Sequence, residues 1–289
     1  NKKIYNWKVL PFGPTNAPMF FQQCMQRIFS KLDYVVICLD DISILSNTRD
    51  EHKKHLEEVF KLLKQHCIKL RIDKCIWGVP ETEYLGFIVD KSGVTTKSSY
   101  IKKILDVPRP KTKTGLQRFI GLAQYLHRFI PQMHHDLSVL TPLTRASKSK
   151  TLKFNANQIK AFENIKTIVS STSHLMHPDI SKPFHIWTDA SKCGLGGMLA
   201  QSDDHGTMRP IAYCSKVFNP TQTRWHVSEQ ELYSVIYCVE KWSSLLRYNK
   251  FTIHTDHRNL KNLFDKATDF KSGKLFRWAV RIQDYHFDC

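Results

Sequence analysis

The order of strands and helices predicted after residue 180 constrains the fold of this chain more than any other feature. Three β-rich runs come first, followed by a long helix, a fourth strand and a short helix, at residues 183–188, 196–200, 208–214, about 228–246, 251–255 and 260–264. Strands that alternate with helices in this way are typical of an α/β domain. The sequence therefore predicts a separate α/β domain that begins near residue 180.

A strand pair is also predicted near the beginning of the chain. Residues 34–38 and 42–45 are rich in β-branched side chains, and only Leu39, Asp40 and Asp41 lie between them. This spacing predicts a hairpin with two carboxylates at its tip. Adjacent carboxylates on a rigid support repel each other unless a cation neutralises them, so we expect Asp40 and Asp41 to bind a divalent metal. Pairs of such metals serve phosphoryl transfer.

The pattern elsewhere predicts mainly helices. One of them starts at a capping box formed by Thr48 and Glu51. The other predicted elements are helices at 15–31, 101–105, 116–129 and 157–170, strands at 69–77 and 83–89, a turn at 90–93 and a basic linker at 147–153.

An excess of positive charge favours a polyanionic partner. The chain contains 43 Lys and Arg against 26 Asp and Glu, a formal net charge of +17. Between residues 91 and 153 there are 13 Lys and Arg against two Asp, so this stretch holds 11 of the 17 net charges. Aromatic side chains are interleaved with these cations, which suits a groove that follows phosphates on a packed scaffold. Nucleic acid is therefore the expected partner, ahead of a merely solvated surface.

The eight cysteines occur singly, and none forms a C-x-x-C pair. Neither a zinc ribbon nor a disulfide framework is indicated, and scattered cysteines fit a reducing compartment. The sequence shows neither a signal peptide nor a long apolar run, so we expect a cytoplasmic protein with no membrane partner.

Three acidic residues are predicted to converge in the domain after residue 180. Asp189 follows the first predicted strand, Glu231 lies at the start of the long helix, and Asp256 follows the fourth strand. Converging carboxylates need metal ions to be stable together, so these positions favour two-metal cleavage of phosphodiesters. His254 and His257 flank Asp256 and suggest zinc or a general base, but a histidine with structural partners is the more common case.

Each acid on the helix or after the fourth strand also has a structural interpretation. Ser228 and Glu231 have the spacing of a capping box, and Asp256 would serve equally as the cap of the helix predicted after it. Glu229 competes with Glu231 for the catalytic position. The sequence leaves these alternatives open.

Several short motifs occur in a fixed order along the chain. They are Leu10-Pro11-Phe12-Gly13 with Asn16-Ala17-Pro18 and Phe21-Gln22, Cys38-Leu39-Asp40-Asp41, Tyr84-Leu85-Gly86, Arg128-Phe129-Ile130-Pro131, Pro142-Leu143-Thr144, Thr188-Asp189-Ala190-Ser191, Glu229-x-Glu231-Leu232 and Thr255-Asp256-His257. In this order they resemble the reverse transcriptase and RNase H motifs of gypsy-type LTR retrotransposons over nearly the whole chain. One motif alone would be weak evidence, whereas the complete series is specific.

The resemblance implies an α/β and α+β multidomain fold. Residues 1–90 would form part of a polymerase palm, residues 91–179 the thumb and connection, and residues 180–289 an RNase H-like α/β domain with a mixed sheet. The resemblance also implies which residues bind substrate. They are Leu10, Pro11, Phe12 and Gly13 in the nucleotide pocket, and Tyr84, Leu85 and Gly86 in the primer grip.

The resemblance also implies two activities, RNA-directed DNA polymerase and ribonuclease H. Both would use pairs of Mg²⁺ or Mn²⁺ ions, held by Asp40, Asp41, Asp189, Glu231 and Asp256. The implied partners are an RNA–DNA hybrid, a primer-template, dNTP and the remainder of a Pol polyprotein with its protease and integrase. A virus-like particle and the nucleus are further locations in such an element's life cycle.

Three departures from the family pattern concern the two acidic sites. The third polymerase Asp of the family lies upstream of the Leu-Pro-Phe-Gly segment, before Asn1, and the final RNase H carboxylate lies after Cys289. Cys38 stands where the family usually has Tyr. We therefore expect both acidic sites to be incomplete within residues 1–289, and we expect DNA synthesis only in the complete polyprotein. The alternatives are a catalytically inactive nucleic-acid-binding remnant and a structural subunit of a complete polymerase.

Overall fold

The computed structural model describes residues 7–11, 13–145, 152–256 and 273–288. The chain divides into two compact units, Asn1–Tyr84 and Leu85–Cys289. The first unit contains α1 (Ala17–Ile28), β1 (Val35–Cys38), β2 (Asp41–Ile44), α2 (Arg49–Gln65) and β3 (Glu81–Tyr84). The second contains β4 (Phe87–Asp90), β5 (Gly93–Thr96), α3 (Ser98–Leu105), α4 (Lys113–Tyr125), α5 (His134–Arg145), α6 (Ala156–Ser170), β6 (Leu175–Met176), β7 (Phe184–Ser191), β8 (Gly194–Ser202), β9 (Met208–Val217), α7 (Val227–Lys241), α8 (Ser243–Leu246), β10 (Phe251–His254), α9 (Gly273–Ile282) and β11 (Phe287–Asp288).

The hairpin predicted in the first unit is confirmed. β1 and β2 pair antiparallel, and Cys38 faces Asp41, so Leu39 and Asp40 form the turn. The capping box is confirmed as well, because the Glu51 N–H donates to the Thr48 hydroxyl at 3.2 Å and the Glu51 carboxylate accepts from the Thr48 N–H. Helices α1 and α2 and the hairpin share a small core made of Met25, Phe29, Leu32, Val59 and Leu63.

The strand predicted at residues 69–77 is wrong. This segment contains a 3₁₀ turn, Ile72–Lys74, and the Arg71 guanidinium donates to the Asp73 carboxylate across it at 2.8 Å. The ring of Trp77 packs edge-on against Phe60 of α2, with ring centroids 5.9 Å apart. Trp77 of this segment therefore contacts a helix rather than a neighbouring strand, while Ile72 and Ile76 are 74% and 68% exposed.

The single strand predicted at residues 83–89 is also wrong, because the chain turns in its middle. Leu85 and Gly86 both have positive φ, 51° and 81°. A Cβ on Gly86 would lie 2.6 Å from the hydroxyl of Tyr125, which donates to the Leu85 carbonyl. Glycine is therefore required at residue 86 both for its backbone conformation and for the close approach of Tyr125.

The turn predicted at residues 90–93 is confirmed. The Asp90 carboxylate accepts from the N–H groups of Ser92 and Gly93 at 2.6 and 2.9 Å, and β4 then pairs antiparallel with β5. β5 also pairs antiparallel with β6, the short strand that follows α6 in the chain.

The basic stretch is built on a helical cluster formed by α3 to α6. The aromatic residues interleaved with its cations belong to this scaffold, since Phe119 and Phe129 are fully buried and Tyr100 stacks on Tyr125. Cations of the same stretch are exposed, among them Lys102, Lys103, Lys111, Lys113 and Arg118. The pattern of aromatics among cations thus reflects a packed core beneath a basic surface.

The predicted α/β order of the later residues is confirmed as a five-stranded sheet. The strand order is β11-β10-β7-β8-β9, with β10 parallel to β7 and β11 and with β7, β8 and β9 antiparallel. α7 packs on β7 and β8, and α5 packs on β8 and β9. The long helix predicted at 228–246 is interrupted at Trp242, between α7 and α8.

Four sequence predictions fall wholly or mainly outside the described residues: the basic linker at 147–153, the helix at 260–264, the position of His257 and that of Phe12. Across the residues that the structure does describe, no helix combines the length and the apolar character needed to cross a bilayer.

Gly197 of β8 provides a test of the sheet packing. A Cβ there would lie 2.3 Å from the Cys238 sulfur of α7 and 3.2 Å from that of Cys214. Because both sulfurs are buried, we expect Gly197→Ala to destabilise the protein by about 1–3 kcal/mol, measured as a lower thermal unfolding midpoint.

Gly121 is the matched control for this substitution. It lies inside α4, and no atom comes within 4 Å of the position that its Cβ would take. Gly121→Ala should stabilise the helix by about 0.5–1 kcal/mol. An unchanged midpoint for Gly197→Ala would contradict the packing described for β8 and α7.

Candidate active sites

The first acidic site lies at the tip of the β1–β2 hairpin, and α1 braces it. Both Asp40 and Asp41 are exposed. The Gln22 side chain of α1 accepts from the Leu39 N–H at 2.6 Å and donates to the Ile37 carbonyl at 3.0 Å. Leu39 has a φ of 55°, a conformation that an L-residue adopts only when surrounding contacts hold it. Gln22 therefore fixes the turn that presents the two carboxylates.

Tyr84 lies close enough to this hairpin to sense its charge. Burial raises the pKa of the Tyr84 hydroxyl above its usual value, and the charges of Cys38 and Asp41 raise it further. The nucleotide-pocket motif is partly described: Leu10 is 53% exposed and Gly13 has a φ of 118°. The structure thus brings Tyr84 to the hairpin, and it leaves the Leu10 side chain available at the surface.

The second acidic site is centred on Glu231. This residue is 5% exposed, and one carboxylate oxygen, Oε2, is buried without a hydrogen-bond partner. The backbone N–H of Ala190 on β7 donates to the carboxylate. Burial first, and then the charges of Asp256 and Asp189, raise the pKa of Glu231 to about 7. The three predicted acids are therefore close enough to interact electrostatically.

Glu229 is the residue that caps the helix, so the capping box predicted for Ser228 and Glu231 is wrong. The N-cap of α7 is His226, whose side chain accepts from the Ser228 N–H, and the Glu229 carboxylate accepts from the His226 N–H at 3.3 Å. Glu229 also forms an ion pair with Lys274 of α9 at 3.2 Å. Its carboxylate is thus used in holding the start of the helix, whereas that of Glu231 is turned toward β7.

The acids of the second site are not packed into a single tight cluster. Asp189 and Asp256 are exposed, at the edge where β7 and β10 run parallel. Among the described residues, the only three ligand groups that approach within 4.8 Å of one another lie elsewhere, so these carboxylates are spread more widely.

An open cleft runs along the sheet from these acids. Its volume is ≈ 570 Å³, and it exposes the face of β7, β8 and β9 that carries Trp187, Asp189, Gly196, Met198 and Tyr213. Pro131 and Gln132, which precede α5, form a wall, and Thr255 and Asp256 lie at its other side. Gly196, which pairs with Asp189 across the strands, contributes no side chain of its own to the cleft beside that carboxylate.

His254 has structural partners in this cleft. Its Nε2 lies 3.0 Å from Nδ1 of His185, and its ring stacks on Trp187 with centroids 4.4 Å apart. Burial, and then the nearby His185, lower its pKa. These contacts support the structural interpretation of His254, which forms part of the cleft wall.

Two protein families match this chain, and each match contains one of the two acidic sites. The family described as reverse transcriptase (RNA-dependent DNA polymerase) matches residues 1–89, which contain Asp40 and Asp41. The family described as RNase H-like domain found in reverse transcriptase matches residues 179–285, which contain Asp189, Glu231 and Asp256. The chain combines reverse transcriptase and RNase H-like segments. The predicted order of a polymerase followed by a ribonuclease H is thereby confirmed.

Curated relatives of this chain include transposon polyproteins. The Tf2-3 and Tf2-4 polyproteins of Schizosaccharomyces pombe are each 31% identical over 292 aligned positions, which cover 99% of this chain. The chain spans 22% of the length of these relatives.

Solved structures of similar fold come from foamy virus. One is a foamy viral protease-reverse transcriptase in complex with an RNA/DNA hybrid, with a TM-score of 0.79 and 22% identity. The alignment covers 98% of this chain and 39% of the foamy viral chain. The same type of protein in complex with dsDNA matches 96% and 57%, with a TM-score of 0.80 and 23% identity. The predicted α/β and α+β fold with a mixed sheet is confirmed.

Sequence reasoning missed several residues that shape these sites. Gln22 stood out only as part of a motif, and Gln132, Trp187 and Tyr213 were not singled out. Trp187 had a detectable signal, because it precedes Asp189 by two residues on one strand and so shares its face. Gln132 had none, since its φ of 51° is a property of the folded loop.

The raised pKa of Glu231 predicts a specific pH dependence of stability. Between about pH 4.5 and pH 7 the folded chain keeps a proton on Glu231 that the unfolded chain has lost, so this residue's contribution to stability falls as pH rises through that range. Between these two pH values, we expect the free energy of unfolding of the metal-free wild type to fall by up to about 3 kcal/mol relative to that of Glu231→Gln. Thermal unfolding midpoints of both proteins at several pH values measure this difference. Histidines that titrate nearby are common to both proteins and cancel in the difference.

Glu229→Gln is the control for this experiment. Glutamine at the third helical position also closes a capping box, so the helix start is retained and Glu231 is unchanged. This variant should follow the pH profile of the wild type. If Glu231→Gln followed it as well, Glu231 would not be the group whose proton is linked to folding.

Proposed function

We propose that the chain is the reverse transcriptase and ribonuclease H part of a retrotransposon polyprotein. In this proposal residues 1–90 belong to the polymerase palm, residues 91–179 form the thumb and connection, and residues 180–289 form the domain that cleaves RNA in RNA–DNA hybrids. The polymerase acts with the rest of the polyprotein, including a protease and an integrase. The resemblance of the motifs, the two family matches and the transposon relatives support the assignment.

The observation that carries the nuclease proposal is the environment of Glu231. A carboxylate that is buried beside two others, with one oxygen unpartnered, is unfavourable unless a cation or a proton compensates it. Such arrangements concentrate at functional sites more than elsewhere on a protein.

The donor set fits Mg²⁺ or Mn²⁺. The groups that would hold the ions are the carboxylates of Asp189, Glu231 and Asp256, and hard divalent cations prefer oxygen ligands. When bound, such ions supply a nucleophilic water at neutral pH and stabilise the leaving oxygen. The chain itself contributes rigid placement: Ala190 orients Glu231 through its N–H, while Asp189 and Asp256 face solvent where a phosphate would approach.

The cleft and the basic surface suit a duplex ligand. Trp187, Tyr213 and the stacked His254 give the cleft flat side chains beside the acids, which favours contact with sugar and base faces. The exposed Lys and Arg of α3 and α4 would contact phosphates and hold the hybrid without reading its sequence.

For the polymerase segment we propose that Asp40 and Asp41 are metal ligands as well. Gln22 holds their turn, and Tyr84, Leu85 and Gly86 are assigned to the primer grip. Leu10, Pro11 and Gly13, with Phe12 outside the described residues, are assigned to the nucleotide pocket. Primer-template and dNTP are the proposed substrates, and the cytoplasm, with virus-like particle and nucleus as later sites, is the proposed location.

Cleavage of an RNA–DNA hybrid tests the nuclease proposal. With Mg²⁺ or Mn²⁺ present, we expect metal-dependent cleavage that falls at least about 100-fold in Asp189→Asn, Glu231→Gln and Asp256→Asn, because each removes a ligand of the reacting centre. The measurement is the initial rate of RNA cleavage at saturating hybrid.

Two controls make this test specific. Glu229→Gln, on the same helix, should keep the wild-type rate, and Asp40→Asn should leave cleavage unchanged. Hybrid binding without any metal-dependent cleavage by the wild type would contradict the nuclease proposal and favour a nucleic-acid-binding protein.

The basic surface gives an independent prediction about binding. Replacing Lys102 and Lys113 together by Gln should weaken hybrid binding and lower the slope of log K against log salt by about 0.7–0.9 for each phosphate that the variant no longer neutralises. Fluorescence anisotropy at several salt concentrations measures both quantities.

A matched double substitution removes the same charge elsewhere. Lys53 and Lys182 are already paired with Asp50 and Asp204, at 3.7 and 2.7 Å. Replacing these two by Gln should leave the salt slope unchanged. Equal slopes for both double variants and the wild type would contradict a role of α3 and α4 in phosphate contact.

A further inference from the structure

A second group of metal-ligating side chains lies near the RNase H-like cleft but outside it. His134 and His135 begin α5, and Cys193 lies in the turn between β7 and β8. Each offers one ligand atom, and these atoms all lie within 4.8 Å of one another. Neither the motifs nor the proposed nuclease chemistry uses these residues.

The spacing of the ligand atoms fits tetrahedral coordination. The Cys193 sulfur lies 3.5 Å from Nδ1 of His135, and the two imidazole centroids are 4.1 Å apart. Zinc–sulfur and zinc–nitrogen bonds of about 2.3 and 2.0–2.1 Å at tetrahedral angles put neighbouring ligand atoms about 3.3–3.7 Å apart. The Cys193–His135 pair already has this spacing, and the other ligand atoms lie no more than 4.8 Å from one another.

His134 supplies a second, independent observation. It is 1% exposed, and its Nδ1 has no hydrogen-bond partner. Its Nε2 lies 3.4 Å from the Ser191 hydroxyl, and that hydroxyl lies 3.2 Å from the Cys193 sulfur. The hydrogen bonding of this buried imidazole is thus limited to one long contact, and a cation bound at Nε2, the nitrogen beside Ser191, would add a stronger interaction.

We propose that His134, His135 and Cys193 bind a thiophilic divalent cation, of which Zn²⁺ is the representative. A thiolate and two imidazoles are the ligands that zinc prefers, and they are poor ligands for Mg²⁺. His135 is exposed and Cys193 is half-buried, so an ion can enter from solvent and keep a water as its fourth ligand.

The place of this site gives the ion a mechanical role. It joins the start of α5 to the β7–β8 turn, and Ser191, the last residue of β7 before that turn, is two residues from Asp189. Gln132, which forms a wall of the cleft, is two residues from His134 on the other side. Binding of the ion would therefore hold the cleft wall and the Asp189 strand together.

Cobalt substitution tests the proposal. Co²⁺ bound through a thiolate gives a charge-transfer absorption in the near ultraviolet, which carboxylate ligands do not give. In excess Mg²⁺, which occupies oxygen sites, the wild type should show this band at one equivalent of Co²⁺, and Zn²⁺ should displace it and raise the thermal midpoint. Cys193→Ser should lose the band and weaken Zn²⁺ binding at least about tenfold, because it removes the thiolate.

Two further variants keep the result interpretable. Cys24→Ser removes an exposed thiol elsewhere and should leave the band unchanged. His135→Asn changes an exposed ligand, so it should fold as the wild type does, with the same far-ultraviolet circular dichroism, yet bind Zn²⁺ more weakly. Absence of the band in the wild type, or its persistence in Cys193→Ser, would overturn the proposal irrespective of whether the chain cleaves hybrids.

Discussion

The burial of Glu231 against β7 is the constraint on which the rest of the RNase H-like segment depends. The helix must start early enough for Glu229 to cap it, and Glu231 then lies two residues further along, facing the Ala190 N–H. Its carboxylate is held where solvation is poor and like charge is near, a state that a folded protein maintains only through the surrounding packing. The sheet and the cap of the helix together hold that arrangement in place.

Backbone strain marks the same regions. Four non-glycine residues among those described have positive φ, and three of them adjoin proposed functional positions: Leu39 before Asp40, Leu85 in the primer-grip motif and Gln132 at the cleft. Each is held by neighbours, as Gln22 and Tyr125 illustrate at Leu39 and Leu85. Cys67, the fourth, follows the end of α2, where a left-handed residue is an ordinary way to end a helix. At the other three positions, the strained backbone accompanies turns that hold neighbouring functional residues in place.

The features that the sequence predicted correctly in the first unit are those determined by short-range interactions. The β1–β2 hairpin and the Thr48–Glu51 capping box were found because their turn spacing and capping chemistry are short-range. The strand at residues 69–77 was wrong because an apolar run does not by itself specify a pairing partner, and in the structure Trp77 packs on Phe60 of α2 while Ile72 and Ile76 remain exposed. The choice between Glu229 and Glu231 needed the N-cap at His226, a residue type that capping rules do not favour.

The His134, His135 and Cys193 group illustrates why a site can be absent from a sequence-level interpretation. Cys193 lies 58 positions after His135, and zinc sites are recognised from short, regular spacings that this group lacks. Only the contact of α5 with β8 brings the two histidines to the β7–β8 turn. The carboxylate sites, by contrast, lie at strand ends and a helix start, where topology alone makes convergence expected. Hard oxygen ligands at strand ends and soft ligands at a helix–turn contact would then let one domain hold two kinds of cation without competition between them.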